Sequence, residues 1–161
     1  MESEGGLTHL DNDGSAHMVD VSEKEVTLRV ARAYCRVDMK PSTIEAITGK
    51  SIGKGDVLTV AKIAGITAAK KTAELIPLCH PLMLEKIDIE FKPDFERGAL
   101  EIVSTVGVTA RTGAEMEALE AVAQTALTVY DMCKSIDREM VIGEIKLLEK
   151  RGGKSGWWKR K

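Results

Sequence analysis

The chain has 161 residues, a formal net charge of −2 and 43% hydrophobic residues, which is typical of one globular domain. The near-neutral charge gives no overall attraction to nucleic acid or to an anionic membrane, and no apolar run approaches the roughly 20 residues that a membrane span needs. Residues 1–13 do not read as a signal peptide, and the three cysteines lack a C-x-x-C pair, so we expect reduced thiols in a cytoplasmic protein.

The first half of the chain predicts one strand and two helices after a flexible start. Residues 1–18 are polar and glycine-rich without periodicity, so we expect them to be flexible in the absence of a ligand. Apolar residues alternate over residues 26–37, which is typical of a half-buried strand. A short helix is predicted over residues 42–47, and Asp56 is expected to cap a longer helix that ends near Leu75.

The second half predicts a hairpin, a long helix and a last strand. Alternating residues on both sides of residues 93–98 indicate a β-hairpin, and Thr112 and Glu115 are spaced as a capping box before the long helix. The predicted apolar stripe of this helix contains Met116, Leu119, Ala123, Ala126, Leu127 and Tyr130. With the last strand at residues 140–148, the order is β-α-β-β-α-β, which predicts an α+β, ferredoxin-like fold with helices packed on one face of an antiparallel sheet.

Two glycine-rich segments resemble phosphate-binding loops but fail the pattern. In residues 49–56 the spacing from glycine to lysine is one residue short, and Gly55 stands where Ser or Thr belongs. Residues 153–155 fail because Leu148 occupies the position of the required glycine. Lys54, between two glycines and just before a helix, is still a candidate phosphate ligand; the alternative is a solvated turn lysine.

The segment Pro-Leu-Cys-His-Pro at residues 77–81 is unusual because two prolines restrict the backbone around Leu78, Cys79 and His80. A histidine on a stiff loop is a candidate acid, base or phosphate ligand, and the alternative is a side chain that only fills space. Since no other Cys or His pair has the spacing of metal ligands, we expect no metal site.

The long helix also carries a polar stripe, formed by Glu117, Glu120, Gln124, Thr128, Asp131 and Lys134. Asp131 and Lys134 are spaced to share a face, either as an acid/base pair or as an ordinary surface ion pair. Glu115 and Glu117 lie ~200° apart on an ideal helix and are expected to face one pocket only if the first turn is distorted.

Two lysines near the C-terminus, Lys150 and Lys154, lie on either side of a glycine pair. They are candidates to close over an anion, and the alternative is a solvated basic tail. Residues 157–161 (WWKRK) are assigned no function.

Seven short segments form a pattern that is more specific than any one of them. They are TH at residues 8–9, HMVDV at 17–21, GKGDV at 53–57, IPLCHPL at 76–82, GAEMEAL at 113–119, YDMCK at 130–134 and GGKSG at 152–156. In this order they resemble the cyclic pyranopterin monophosphate synthase family of molybdenum cofactor biosynthesis, over residues 7–156. The chain departs from the family at Gly53, where a bulkier or basic residue is usual, and at residues 157–161.

The resemblance implies an enzyme that takes a cyclised dihydro-GTP intermediate, made by a partner radical enzyme, and releases cyclic pyranopterin monophosphate and pyrophosphate. It implies a lyase without a cofactor, assembled as a homohexamer of dimers with active sites at subunit interfaces. The expected organisation is a flexible segment at residues 1–18, one catalytic domain at 19–156 and a basic tail at 157–161.

The resemblance also implies a set of site residues. Lys54, Asp131 and Lys134 are expected to be catalytic. A neighbouring cation can lower the pKa of a lysine so that it acts as a base, and which of the two lysines is the acid and which the base stays open. The expected substrate-binding residues are Asp20, Arg29, Leu78, Cys79, His80, Glu115, Met116, Glu117, Lys150 and Lys154. A non-catalytic nucleotide-binding module, or an oligomeric scaffold that recruits the radical enzyme, is the alternative on the same fold.

Overall fold

The computed structural model describes Leu10 and residues 13–161. The elements in this part of the chain are β1 (Thr27–Asp38), α1 (Pro41–Thr48), α2 (Val57–Lys70), α3 (Thr72–Leu75), β2 (Lys86–Asp94), β3 (Ala99–Ala110), α4 (Glu115–Cys133), β4 (Val141–Arg151) and β5 (Trp157–Lys159). The flexibility expected for residues 1–18 falls largely on 1–9 and 11–12, which lie outside the described residues. No described helix is both long enough and apolar enough to cross a membrane.

The strands form one antiparallel sheet in the order β2-β3-β1-β4-β5. The first four strands have the ferredoxin-like arrangement, so the predicted fold class is confirmed. β1 is central, paired with β3 along its whole length and with β4 on its other side. The fifth strand is formed by tail residues to which the sequence assigned no structure. They are ordered because they pair with the free edge of β4.

The core lies between the sheet and the helices α2 and α4, and α4 packs on β1 and β3. Its buried face coincides with the predicted stripe only in part: Ala126 is fully buried, but Leu127 is 54% exposed. Ala121 and Val129, which lie outside the predicted stripe, are fully buried. The reason is the close approach of α2, because a Cβ on Gly65 would lie 2.1 Å from Oγ1 of Thr125. Small residues therefore mark the contact face, and the larger ones lie beside it.

Two helix boundaries show how local chemistry places the chain. Asp56 caps α2 as predicted, because its carboxylate accepts the N–H of Thr59 at 3.1 Å. The predicted helix to Leu75 is interrupted at Lys71, whose φ of −104° and ψ of 5° separate α2 from α3. The last strand also differs from its prediction, since β4 continues to Arg151, three residues beyond the expected end.

Helix α1 has no side-chain cap of its own. Asp137, which is 2% exposed and follows α4, supplies the missing acceptor. Its Oδ2 accepts hydrogen bonds from the N–H of Lys40 at 2.9 Å and from Oγ1 of Thr43 at 3.0 Å. One buried carboxylate therefore joins the start of α1 to the loop after α4.

Candidate active site

Two adjoining cavities, of about 360 and 640 Å³, open around the first turn of α4. Their shared wall is formed by Lys24, Thr112, Gly113 and Glu115. Ten of the predicted site residues line one cavity or both: Asp20, Arg29, Leu78, Cys79, His80, Glu115, Met116, Glu117, Lys150 and Lys154. The fold therefore brings together segments from both ends of the chain.

Glu115 occupies the first position of α4 and bridges to the sheet. The predicted capping box does not form, since no side chain caps this helix and Nζ of Lys150 donates to Oε1 of Glu115 at 3.0 Å. The carboxylate folds back over Gly113, where a Cβ would lie 2.0 Å from its Oε2. This turn-back lets Glu115 and Glu117 line the same cavity. The two carboxylates therefore share a cavity although an ideal helix would place them ~200° apart.

Glu117 is 4% exposed, although the sequence placed it on the polar stripe. Burial, reinforced by the charge of Glu115, raises the pKa of Glu117 from an ordinary 4.5 to about 7. A carboxyl group with this pKa can both give and accept a proton near neutral pH. Burial also raises the pKa of the nearby Cys79 thiol, with smaller contributions from Glu117 and Glu115, so this cysteine stays protonated.

The second cavity holds a guanidinium group that the backbone fixes in place. Nε of Arg29 donates to the carbonyl of Ala110 at 2.9 Å. The turn after β4 covers the other side, with φ of +102° at Gly152 and +70° at Gly153. A Cβ on Gly152 would lie 2.3 Å from the backbone carbonyl oxygen of Leu28, so only glycine allows this approach, and Gly153 lies against the guanidinium of Arg29. Arg29 is thus held rigidly at the cavity wall.

Other charged groups complete this wall. Lys150 and Lys154 line the same cavity, as does Arg111, which the sequence analysis missed because nothing in its loop marked it. Asp20 accepts the N–H of Ser22 at 2.9 Å, which lowers the pKa of Asp20 and keeps it ionised. Several cations with a few carboxylates suit an anionic substrate that also offers hydrogen-bond donors.

Lys54, Asp131 and Lys134 form a separate cluster at the end of α4. Nζ of Lys54 donates to the backbone carbonyl of Asp131 at 2.8 Å and lies 3.9 Å from its Oδ2. Nζ of Lys134 donates to Oδ1 of Asp131 at 2.7 Å. The structure thus brings the three residues together, while their catalytic role stays a prediction.

The electrostatics of this cluster differ from the expectation of a lysine with a lowered pKa. The hydrogen bond to Asp131 raises the pKa of Lys134, and the same bond lowers the pKa of Asp131. The pKa of Lys134 is raised because a carboxylate, rather than a second ammonium group, is its nearest charged neighbour.

The cluster and the cavities lie at opposite ends of one helix. With a rise of 1.5 Å per residue, about 21 Å of α4 separates Glu117 from Asp131. None of the three clustered residues lines either cavity. A single chain therefore divides the predicted site into two groups.

Among the described residues, no group of three or more His, Cys, Asp or Glu side chains is arranged to hold a metal ion. The chemistry of the cavities is instead that of positioned cations around ionisable carboxyl groups. Such a site on an α+β domain is typical of an enzyme that acts on a small anionic molecule.

Comparison with known proteins agrees with the motifs. The sequence model of the MoaC family matches residues 18–153. The chain is 58% identical over 156 residues to "Cyclic pyranopterin monophosphate synthase" of Pelotomaculum thermopropionicum, covering 97% of this chain and 92% of that protein. It is 57% identical over 161 residues to "Cyclic pyranopterin monophosphate synthase 3" of Mycobacterium bovis and of Mycobacterium tuberculosis, covering 99% of this chain and 89% of each relative. The chain belongs to the MoaC family, which confirms the resemblance.

Proposed function

We propose that this chain is a cyclic pyranopterin monophosphate synthase. It converts a cyclised dihydro-GTP intermediate into cyclic pyranopterin monophosphate and releases pyrophosphate, as a lyase. The observation that carries the proposal is the cavity lined by both Glu117, with a pKa of about 7, and His80, next to a cation-lined chamber. Identity of 58% to a relative of that name, along nearly the whole chain, supports it.

In this proposal the larger cavity binds the triphosphate. Arg29, held by the carbonyl of Ala110, offers a fixed planar pair of donors. Lys150, which is ion-paired with Glu115, and Lys154 add further positive charges. Cyclisation to a cyclic phosphate displaces pyrophosphate, so negative charge builds up on the leaving group. Cations already in place stabilise that charge without reorganisation, which lowers the barrier.

The smaller cavity takes the ring system and carries out proton transfers. Opening a purine-derived ring and closing a pyrazine ring each require protons to be added and removed. A positioned acid or base accelerates such a step by about 10²–10⁴. Glu117 is suited to this work by its pKa, and His80, on its proline-flanked loop, lines the same space.

The Lys54–Asp131–Lys134 cluster supplies a second acid/base group. Because the carboxylate of Asp131 raises the pKa of Lys134, this lysine is protonated at neutral pH in the free enzyme. It therefore begins the reaction as an acid or as a phosphate-binding cation. The carboxylate of Asp131 holds the ammonium group of Lys134 in position. Lys54 in turn donates a hydrogen bond to the backbone carbonyl of Asp131.

The separation within α4 supports an oligomeric active site. A homohexamer of dimers would let this cluster of one subunit complete the cavities of its neighbour. Large apolar side chains on the outer face of the helices, Ile63 at 60% and Leu127 at 54% exposure, are available for subunit contacts. The upstream partner in the proposal is the radical enzyme that makes the cyclised intermediate.

The direct test is turnover of the cyclised intermediate by the purified full-length protein, with no cofactor added. Pterin product and pyrophosphate are measured separately and are expected in equal amounts. A nucleotide-binding module or a scaffold for the radical enzyme would bind the intermediate, or that enzyme, and form neither product. That result would overturn the proposal.

A further inference from the structure

We infer that the C-terminal residues 157–160 are a positioning device that holds the cavity's cations, Arg29 and Lys150, in place for an anionic ligand. The inference rests on the proposed function for the identity of that ligand, a nucleoside triphosphate derivative. These residues lie outside the span matched to the family and were assigned no function from the sequence.

The first support is the position of Lys150 in the sheet. Its backbone pairs with Ala31 of β1 on one side and with Trp158 of β5 on the other. Without β5, β4 would be an edge strand at the residue whose ammonium group bonds Glu115. Edge residues have unpaired backbone groups and open more easily, so β5 makes Lys150 an interior position.

The second support is the way this short strand is fastened. The N–H of Arg160 donates to the carbonyl of Leu148 at 2.8 Å, and its Nε donates to the carbonyl of Leu147 at 2.7 Å. The guanidinium carbon of Arg160 also lies 5.8 Å from the ring centroid of Trp158. Arg160 therefore clamps a three-residue strand that has little pairing of its own.

The third support is the turn that this hairpin closes. Gly152 donates its N–H to the carbonyl of Gly156 at 2.9 Å, and the turn covers the guanidinium of Arg29. Lys154 and Ser155, at the tip of the turn, line the larger cavity. Fixing both strands of the hairpin therefore fixes the turn on Arg29, and releasing β5 releases it.

A matched pair of variants tests this, because Arg160→Ala and Lys159→Ala each remove one exposed positive charge. Within the described part of the chain, the side chain of Lys159 has no hydrogen bond, ion pair or ring contact, so only the first variant loses the clamp. GTP is the probe, titrated calorimetrically into the full-length protein. We expect Arg160→Ala to raise the Kd about tenfold, equivalent to ~1.4 kcal/mol, and Lys159→Ala to leave it within about twofold.

Two further measurements separate positioning from general stability. Hydrogen exchange at the Gly152 amide should become faster in Arg160→Ala, while amides of β1 keep their protection. With the cyclised intermediate, KM should rise and kcat should change little, and Arg160→Lys should restore part of the affinity. If Arg160→Ala proves unfolded by circular dichroism, Trp158→Ala replaces it with the same expectations.

Equal weakening by Arg160→Ala and Lys159→Ala would overturn the inference, because the effect would then be one of charge alone. An unchanged Kd in Arg160→Ala would overturn it too, as would a wild-type protein that does not bind GTP. Wild-type protein that binds GTP but forms no pterin product from the intermediate would instead overturn the proposed function. The inference about the tail would survive that result.

Discussion

Nζ of Lys150 lies 3.0 Å from Oε1 of Glu115, so one ion pair joins the C-terminal end of β4 to the first turn of α4. Both side chains are partly exposed, at 38% and 29%, and such a pair contributes about 1 kcal/mol or less to stability. Its effect is on placement, because both groups line the larger cavity and Glu115 lies in the wall between the two.

The raised pKa of Glu117 predicts a dependence of stability on pH. Between pH 4.5 and about 7 the folded protein binds more protons at this position than the unfolded chain, so stability falls as pH rises through that window. The total loss is about 3 kcal/mol. Glu117→Gln should therefore be more stable than wild type at pH 8, with an advantage that shrinks toward pH 4.5, as measured by denaturant unfolding.

The same variant should lose activity because glutamine cannot transfer the proton, by about 10²–10⁴ in kcat. Glu120→Gln, on the same helix but outside both cavities, is the matched control. If Glu117→Gln were no more stable than wild type at pH 8, ionisation of the buried Glu117 carboxyl group would not destabilise the fold, and the raised pKa would be contradicted.

The Asp131–Lys134 pair predicts a loss of rate without a loss of fold. Lys134→Ala and Asp131→Asn should reduce single-turnover rates by several orders of magnitude, with near-normal melting because both groups are exposed. Lys134→Arg keeps the charge but cannot release a proton near neutral pH. Substantial activity in the arginine variant would assign Lys134 to phosphate binding, and wild-type rates in Lys134→Ala would defeat the assignment.

The division of the site between two ends of α4 predicts complementation between inactive variants. Co-expressed Glu117→Gln and Lys134→Ala should form mixed oligomers in which some sites combine two intact halves, so part of the activity returns. Glu117→Gln mixed with Lys150→Ala should stay inactive, because each chain then has one damaged cavity residue and no chain supplies intact cavities. Light scattering should give a hexamer, and a monomeric mass would contradict the shared site.

Asp137 predicts a structural effect that is independent of the active site. Burial opposes its ionisation and is the largest influence on its pKa, but hydrogen bonds from Lys40, Thr43 and Glu139 together outweigh it and lower the pKa. Its contribution is therefore fully present above the ordinary value of 3.8 and is lost as pH falls through the lowered pKa. Asp137→Asn should cost ~2 kcal/mol at pH 7 by denaturant unfolding.

The cost measured in acid, well below pH 3.8, should be smaller than at pH 7, because the wild-type carboxyl group takes up a proton as pH falls through its lowered pKa. Glu139→Gln, at an exposed neighbouring side chain, controls for loss of charge in this loop. A cost that is the same at both pH values would show that shape rather than ionisation matters at Asp137.

Much of the fold could be predicted because local patterns decide it. The alternation over residues 26–37 became β1, Asp56 caps α2, and the order of elements predicted the ferredoxin-like sheet. The motifs also identified the family, since residue types at fixed spacing are read directly from the chain. These features depend on neighbours within a few residues, or on order alone.

Tertiary contacts decided the remaining features. Gly65 lets α2 approach α4 closely, and the small residues of α4 are buried at this contact. Glu117 is also buried, and its pKa is raised. Likewise, strand pairing in the sheet places Trp158 beside Lys150, and the turn after β4 places Gly153 against the guanidinium of Arg29. The sequence by itself determined the elements, the family and most of the residues that line the cavities. Burial, pKa and the split of the site between two ends of α4 depend on distances between segments far apart in the chain, and only the tertiary structure decided them.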